Sequence, residues 1–336
     1  MHRALALVLL AACTRSESAP PGTDPKAMTA TTHTTRISEL SPRRGATRLL
    51  LTKDRAVFLG RDHLTVTPLT DKGGSKLSIP IADAHALGML GDDIVVGINA
   101  TGKTALVRFA PGSTKGQSQG GILAVPNQGY GRIFATDKAS EIFIGGPDAG
   151  LDRSRIDPDR IVPIQAVAWK ADEQATFTSA GHGRVAFVQR DRIVRIGSDG
   201  TREEFKLSAF PIPAHLVAGP SDDTMWITED KKLGLLELAH GEARVTRTVD
   251  LGALAFDLAS GGDAAAVITA TGNAAKMASE LQVIGADGKL RWRAALPPNN
   301  PNMFVAASAD RVAVQIGDEL RAWNAKDGSP VALPAP

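Results

Sequence analysis

From Thr47 onward the chain alternates short aliphatic and β-branched runs with turns of Gly, Asp and Asn. Thr47-Arg-Leu-Leu-Leu-Thr52, Ala56-Val-Phe-Leu-Gly60, Asp93-Ile-Val-Val-Gly97, Arg184-Val-Ala-Phe-Val188 and Arg192-Ile-Val-Arg-Ile196 have the length and composition of strands. Helical spacing of apolar positions is nearly absent, and only Gly272 to Leu281 could hold a helical turn or two. Many short strands with frequent turn signals predict an all-β sandwich, barrel or propeller.

The spacing of the most apolar runs decides among these. Ala56-Val-Phe, Asp93-Ile-Val-Val, Glu141-Ile-Phe-Ile, Arg184-Val-Ala-Phe, Thr224-Met-Trp-Ile, Ala264-Ala-Ala-Val-Ile and Arg311-Val-Ala-Val follow one another along the chain. Their steps scatter around a little over forty residues, near the period of a four-stranded propeller blade. The fold class predicted is therefore all-β, a β-propeller of seven four-stranded blades over residues 47–336, with each of these runs as a second strand. A small twisted sheet exposes an apolar face that stacking around a ring can bury. Ring closure is expected to pair an early strand, Thr35 to Leu40, with the last blade.

Two blades carry a more specific signal. Pro213-Ala-His-Leu-Val-Ala-Gly-Pro-Ser-Asp-Asp-Thr-Met-Trp-Ile-Thr-Glu229 resembles a blade of the streptogramin lyase-like and NHL-like propellers, with a proline-led first strand and a Trp-centred second one. Leu281-Gln-Val-Ile-Gly-Ala-Asp-Gly-Lys-Leu-Arg-Trp-Arg293 resembles the outer hairpin of quinoprotein-like blades, and Glu319 to Leu333 is a looser variant. Asp287-Gly288 and Asp327-Gly328 are favoured hairpin dipeptides. These matches cover about three blades of the seven.

The amino-terminal stretch follows another rule. His2 and Arg3 precede the apolar run Ala4 to Leu10, which is shorter than the roughly 20 residues a membrane-spanning helix needs. Leu10-Ala11-Ala12-Cys13 resembles the lipobox of bacterial lipoproteins. That resemblance implies cleavage before Cys13, a diacylglycerol on its thiol and an acyl chain such as palmitate on the new amino terminus. Cys13 is the chain's one cysteine. The expected organisation is a signal peptide (1–12), a lipidated tether (13–46) and the propeller (47–336). Thr14 to Ala46 has no aromatic residue, and Ile37 and Leu40 are its only large aliphatics besides Met28, too little to offset ordering entropy. Thr14 stands where many Gram-negative families use aspartate for inner-membrane retention. The expectation is a bacterial envelope protein, on the outer rather than the inner membrane if the host is Gram-negative.

Charge and motifs narrow the chemistry. With 38 basic and 36 acidic residues the net charge is +2, unlike the concentrated basic face of a nucleic-acid binder. Arg36, Arg43, Arg44 and Arg48 read as a solvated linker. Gly97-Ile-Asn-Ala-Thr-Gly102-Lys103-Thr104 fits the phosphate-loop pattern, yet that loop must open a helix. Here Ala105-Leu-Val-Arg-Phe-Ala110 and then Pro111-Gly112 follow, so a hairpin turn over Asn99 to Lys103 is expected. Asp148, Asp152, Asp157 and Asp159 interleave with Arg153, Arg155 and Arg160 and lack calcium-loop spacing, which predicts a salt-bridged loop.

The histidines His63, His85, His182, His215 and His240 are scattered. The lyase-like resemblance implies histidine, glutamate and a divalent metal, with His215 and Glu229 the nearest candidates in the matched blade. Only Trp169, Trp226, Trp292 and Trp323 could line a quinone site, and vicinal cysteines are absent, so no cofactor is expected. No His-Glu-x-x-His motif occurs. The chain therefore reads as a membrane-tethered ring that binds a protein or small ligand on one face without catalysis. The alternative is a metal-dependent lyase or hydrolase of the streptogramin lyase-like type.

Overall fold

The computed structural model describes residues 48–333 except 101–102, 127–131, 136–140, 147–149, 158–159, 168–175, 180–182, 190, 212, 273–275 and 301. The expected signal, tether and closing strand, with Asp148, Asp159, Trp169 and His182, lie outside the described residues.

Strands succeed one another in up-and-down order. The first sheet contains β1 (Leu49–Leu51), β2 (Arg55–Leu59), β3 (His63–Pro68) and β4 (Leu77–Pro80). The second contains β5 (Ala84–Leu90), β6 (Asp93–Ala100), β7 (Lys103–Phe109) and β8 (Gln117–Pro126). The third contains β9 (Arg132–Ala135), β10 (Glu141–Gly146), β11 (Gly150–Ile156) and β12 (Ile161–Val167). The fourth contains β13 (Thr176–Ser179), β14 (Val185–Gln189), β15 (Arg192–Ile196) and β16 (Arg202–Leu207). The fifth contains β17 (His215–Ala218), β18 (Thr224–Glu229), β19 (Lys232–Ala239) and β20 (Glu242–Asp250). The sixth contains β21 (Leu254–Gly261), β22 (Ala264–Thr271), β23 (Ala278–Gly285) and β24 (Leu290–Leu296). The last has β25 (Met303–Ala307), β26 (Arg311–Ile316) and β27 (Glu319–Asn324). The seven apolar runs picked out by spacing all begin or form second strands: β2, β6, β10, β14, β18, β22 and β26.

Three features differ from expectation. β16 and β20 pair in parallel, Lys206 opposite Glu242, so the fourth and fifth blades share one eight-stranded sheet. Among the described residues the seventh blade has three strands, followed by a bridge between Trp323 and Pro330. At that bridge Val331 N–H donates to the Ala322 carbonyl at 2.9 Å, while the expected closing strand Thr35–Leu40 lies outside the described residues. Finally, Ala278 to Leu281 open a strand rather than a helical turn. Ser279, Leu281 and Val283 are buried while Glu280 and Gln282 are half-buried, a period of two that a helix could not satisfy.

The phosphate-loop match is a hairpin: β6 and β7 are antiparallel with Ala100 opposite Lys103, and a strand follows the lysine. Asp157 accepts from Arg155 Nε at 2.8 Å and Arg160 Nε at 3.3 Å, the salt-bridged loop expected at that position.

The core is divided among the blade junctions. Val57, Leu59 and Leu64 pack with Leu87, Ile94 and Phe109 between blades one and two. Trp226, Leu233 and Leu235 pack with Leu258, Ala265 and Val267 between five and six. Leu49 and Phe58 meet Phe304, Ala306 and Ala313 between seven and one, with the two phenylalanine rings 5.8 Å apart. Each fully buried Leu, Val or Phe side chain contributes about 1.5–3 kcal/mol, so the ring closes by packing.

The degenerate repeat is regular at the backbone. The carbonyl of an aspartate between first and second strands accepts an N–H from the end of the third. The pairs are Leu69 to Asp54 at 2.8 Å, Leu238 to Asp223 at 2.7 Å, Ala286 to Asp263 at 2.8 Å and Ala325 to Asp310 at 2.9 Å. These bonds gather the first-to-second and third-to-fourth turns on one face of the ring, here the first face. The second-to-third turns lie on the second face, where Ile81 N–H donates to Asp62 and Leu207 N–H to Asp191.

Candidate functional site

The polar chemistry of the ring starts with groups that hold blades together. Arg195, with its side chain 4% exposed, donates from Nε to Glu203 Oε2 at 2.8 Å and from Nη1 to the Asp222 carbonyl at 2.6 Å. Its guanidinium also lies 5.2 Å from the centre of the Phe205 ring. Arg153 reaches the Ser198 carbonyl in the next blade, and Arg311 Nη1 reaches the Leu69 carbonyl at 2.6 Å. Asp257 takes Val305 N–H at 2.8 Å and its neighbour Leu258 N–H at 2.9 Å, joining blades six and seven at their inner strands. Trp292 Nε1 donates to the Ala325 carbonyl at 3.0 Å. These buried or half-buried groups are spent on structure.

The sequence candidates do not converge. His215 is buried and its Nδ1 lies 3.0 Å from Thr228 Oγ1, directly across the β17–β18 ladder. Glu229 follows Thr228 on the strand and so projects to the opposite side of the sheet from His215. His85 is half-buried, and burial pushes its imidazole pKa down from the ordinary histidine value. Among the described residues no group of three His, Cys, Asp or Glu is placed to hold a metal ion. Cys13, Leu10, Ala11 and Ala12 lie outside the described residues.

Cavities instead gather around blade one. A cavity of about 250 Å³ lies between blades one and two, bounded by Lys53, Asp54, Arg55, Lys72, Asp92 and Pro111. A second, of about 320 Å³, lies across the junction with blade seven, bounded by Lys53, Asp54, Thr70, Asp310, Arg311 and Asn324. Lys53 and Asp54, in the turn between β1 and β2, are common to both. The turn is fixed: Thr70 Oγ1 donates to Asp54 Oδ1 at 2.8 Å, and Arg55 Nε donates to the Gly73 carbonyl at 2.9 Å. Gly73 is required there, because a Cβ would stand 2.4 Å from the Asp54 carbonyl oxygen. The Lys53 side chain is exposed between the cavities on the first face.

A third cavity, about 480 Å³, opens on the outer side of the same junction between Thr65, Ser78, Lys76, Gln315 and Asp318. Asp62 Oδ1 and His63 Nδ1, 2.7 Å apart, stand at its edge, and that hydrogen bond holds the Asp62 carboxyl below its ordinary pKa. Gly60 makes room for the imidazole, since a Cβ would lie 2.9 Å from His63 Cε1. In the sequence His63 stands out only as one of the scattered histidines, and Lys53, Asp54 and Asp62 not at all. Their one signal was a charged pair next to a turn, which many blades share.

Seven successive up-and-down units, with β5 beside β9, β13 beside β17, β17 beside β21, β21 beside β25 and β25 beside β1, define a β-propeller. Solved propellers superpose on it. The β-propeller domain of Cps50 (Swd1) from Myceliophteria thermophila is 11% identical, covers 84% of this chain and 97% of its own, and has a TM-score of 0.62. A catalytically inactive virginiamycin B lyase from Staphylococcus aureus, solved with quinupristin, is 16% identical over 84% of this chain and 94% of its own, with a TM-score of 0.57. A streptogramin B lyase is 15% identical over 77% and 86%, with a TM-score of 0.53. At such identities the likeness is one of fold. No family model and no curated protein matches the sequence.

Proposed function

We propose that this chain is a lipid-anchored protein of the bacterial envelope whose propeller binds a protein or ligand without chemistry. Its lipobox-like Leu10-Ala11-Ala12-Cys13 supports the anchor, through a tether of about thirty residues. The observation that carries the binding reading is the pair of cavities flanking Lys53 and Asp54 on the first face. Both are rimmed by charges of both signs on turns already fixed by internal hydrogen bonds, so a partner would meet a preorganised polar surface. The Swd1 domain and the lyase share this fold, so the ring itself is compatible with a binding module or an enzyme. The metal-dependent alternative needs a ligand set, and His215 and Glu229 project to opposite sides of their sheet.

Photo-crosslinkers placed at Lys53 and Asp310, in intact cells, are expected to capture a common partner. The same group at Lys232, on the second face, should not. Equal capture from both faces would sink the assignment of the surface. Cys13→Ser is expected to move the protein from membrane to soluble fractions, and continued membrane retention counts against the anchor.

A further inference from the structure

At several junctions the outer strand of one blade covers the outer turn of the next. β16 pairs onto the Gly241 turn of blade five, with Lys206 N–H donating to the Gly241 carbonyl at 2.8 Å. A Cβ at Gly288, in the outer turn of blade six, would lie 3.7 Å from Val249 Cγ2 and 3.8 Å from Arg247 Cδ on β20, and Trp292 on β24 covers the Gly328 turn of blade seven. Among the described residues blade seven lays only the Trp323–Pro330 bridge, and no fourth strand, beside blade one. The outer half of blade one lies beside a cleft, and its sequence matches that exposure. On β3 the buried side is Leu64, Val66 and Pro68, while His63, Thr65 and Thr67 on the other side are half-buried. The third strands β15 and β19, which face complete neighbours, bury aliphatic residues on both sides.

We propose that this outer cleft binds a neutral polyhydroxylated ligand, a short glycan segment, through Thr65, Ser78, Lys76, Asp318 and the Asp62–His63 pair. The volume of about 480 Å³ lies within the roughly 300–1,000 Å³ range of small-molecule sites. The lining offers hydroxyls that both donate and accept, two carboxylates that accept, and an ammonium that donates. Sugar hydroxyls present that same mixture. A phosphate or carboxylate ligand would meet two carboxylates against one lysine. A divalent cation would need a cluster of ligands, and none is formed among the described residues. An apolar ligand would find Phe58 and Pro80, of which Phe58 is only 9% exposed. The site is rigid on the blade-seven side. Gln315, itself 4% exposed, donates from Nε2 to the Gly317 carbonyl at 2.8 Å and fixes the turn that carries Asp318. This cleft is separate from the Lys53 surface, so it stands or falls independently of that reading.

The test is isothermal titration of the full chain carrying Cys13→Ser with chitotriose and with maltotriose, to about 10 mM. Saturable binding of either sugar is expected. Ser78→Ala should weaken it about fivefold and Asp318→Ala about tenfold, each removing hydrogen bonds at exposed positions that do not hold the fold. Lys289→Ala, in a turn of blade six, should leave it unchanged. No heat from either sugar overturns the proposal, as does sugar binding indifferent to both cleft variants. Inorganic phosphate that saturates the cleft and is weakened by the same variants also overturns it.

Discussion

The clasp between blades six and seven can be weighed with two glycines. Gly328 has a φ of +73° and Gly112 a φ of +75°, so alanine at either site adopts the left-handed region at about 1–2 kcal/mol. Only the surroundings differ. A Cβ at Gly112 meets nothing within 4 Å, whereas one at Gly328 would stand 2.7 Å from Trp292 Cδ2 and 2.8 Å from its Cγ. Gly328→Ala must therefore displace the indole. It then loses the 3.0 Å bond from Nε1 to the Ala325 carbonyl, worth about 1 kcal/mol, and disturbs the contact with Trp323, whose ring centre is 6.4 Å away. Gly328→Ala is expected to destabilise by about 1–2 kcal/mol more than Gly112→Ala in urea unfolding followed by circular dichroism. In a Trp292→Ala background the two alanine substitutions should become equivalent. Equal effects of the two substitutions in the wild-type chain, within about 0.5 kcal/mol, would refute the clasp.

Three further outcomes follow from the blade contacts. Arg195→Ala should lower stability by about 2–3 kcal/mol, and Arg195→Lys should recover little, because a lysine cannot reach Glu203, the Asp222 carbonyl and the Phe205 face together. Asp257→Ala should cost about 2 kcal/mol by leaving Val305 and Leu258 N–H groups without their carboxylate, an effect readable as faster amide exchange at Val305. His85 has a folded pKa lowered by burial, so its contribution is present above the unfolded value near about 6.5 and fades as pH falls below it. The melting temperature should decline between about pH 7 and pH 5, and His85→Asn should flatten that decline. An unchanged slope in the variant would assign the acid sensitivity to other groups.

The second strands were legible because they bury both sides: Met225, Trp226, Ile227 and Thr228 are buried without alternation, and Ala264 to Ala270 likewise. A continuous apolar run bounded by turns survives degeneracy of the repeat. The aspartate that precedes these strands acts through its backbone carbonyl in four blades, so its side chain is free to vary in its contacts. The same residue type thus accepts from Arg291 at Asp263 and from Thr70 at Asp54. The end of the stretch Gly272–Leu281 misled because alanines and a lysine suit a helix, while pairing of Ser279 with Ala270 and Leu281 with Ile268 fixes Ala278 to Leu281 as a strand. Site residues were less legible. Lys53, Asp62 and Asp318 resemble every other charged turn, and only their assembly across the junction of first and last blades makes cavities of them.

The outer side of β27 shows how a proline can sit in such a ladder. Ser329-Pro-Val-Ala-Leu333 has the alternation of an outer strand, and Val331 and Leu333 do pack against the Phe58–Phe304 cluster. Asn324 N–H donates to the Ser329 carbonyl at 2.9 Å and Val331 N–H to the Ala322 carbonyl at 2.9 Å, so Trp323 and Pro330 are the narrow, non-hydrogen-bonded pair between them. The Pro330 nitrogen therefore turns away from β27, where a missing N–H costs the ladder nothing. On its inner side β27 pairs with Arg311 to Ile316 along its whole length. Pro330→Val should accordingly change stability by less than about 1 kcal/mol in urea unfolding. Val331→Pro removes an N–H that is bonded and should cost more, about 1–3 kcal/mol. The reverse order would refute this register.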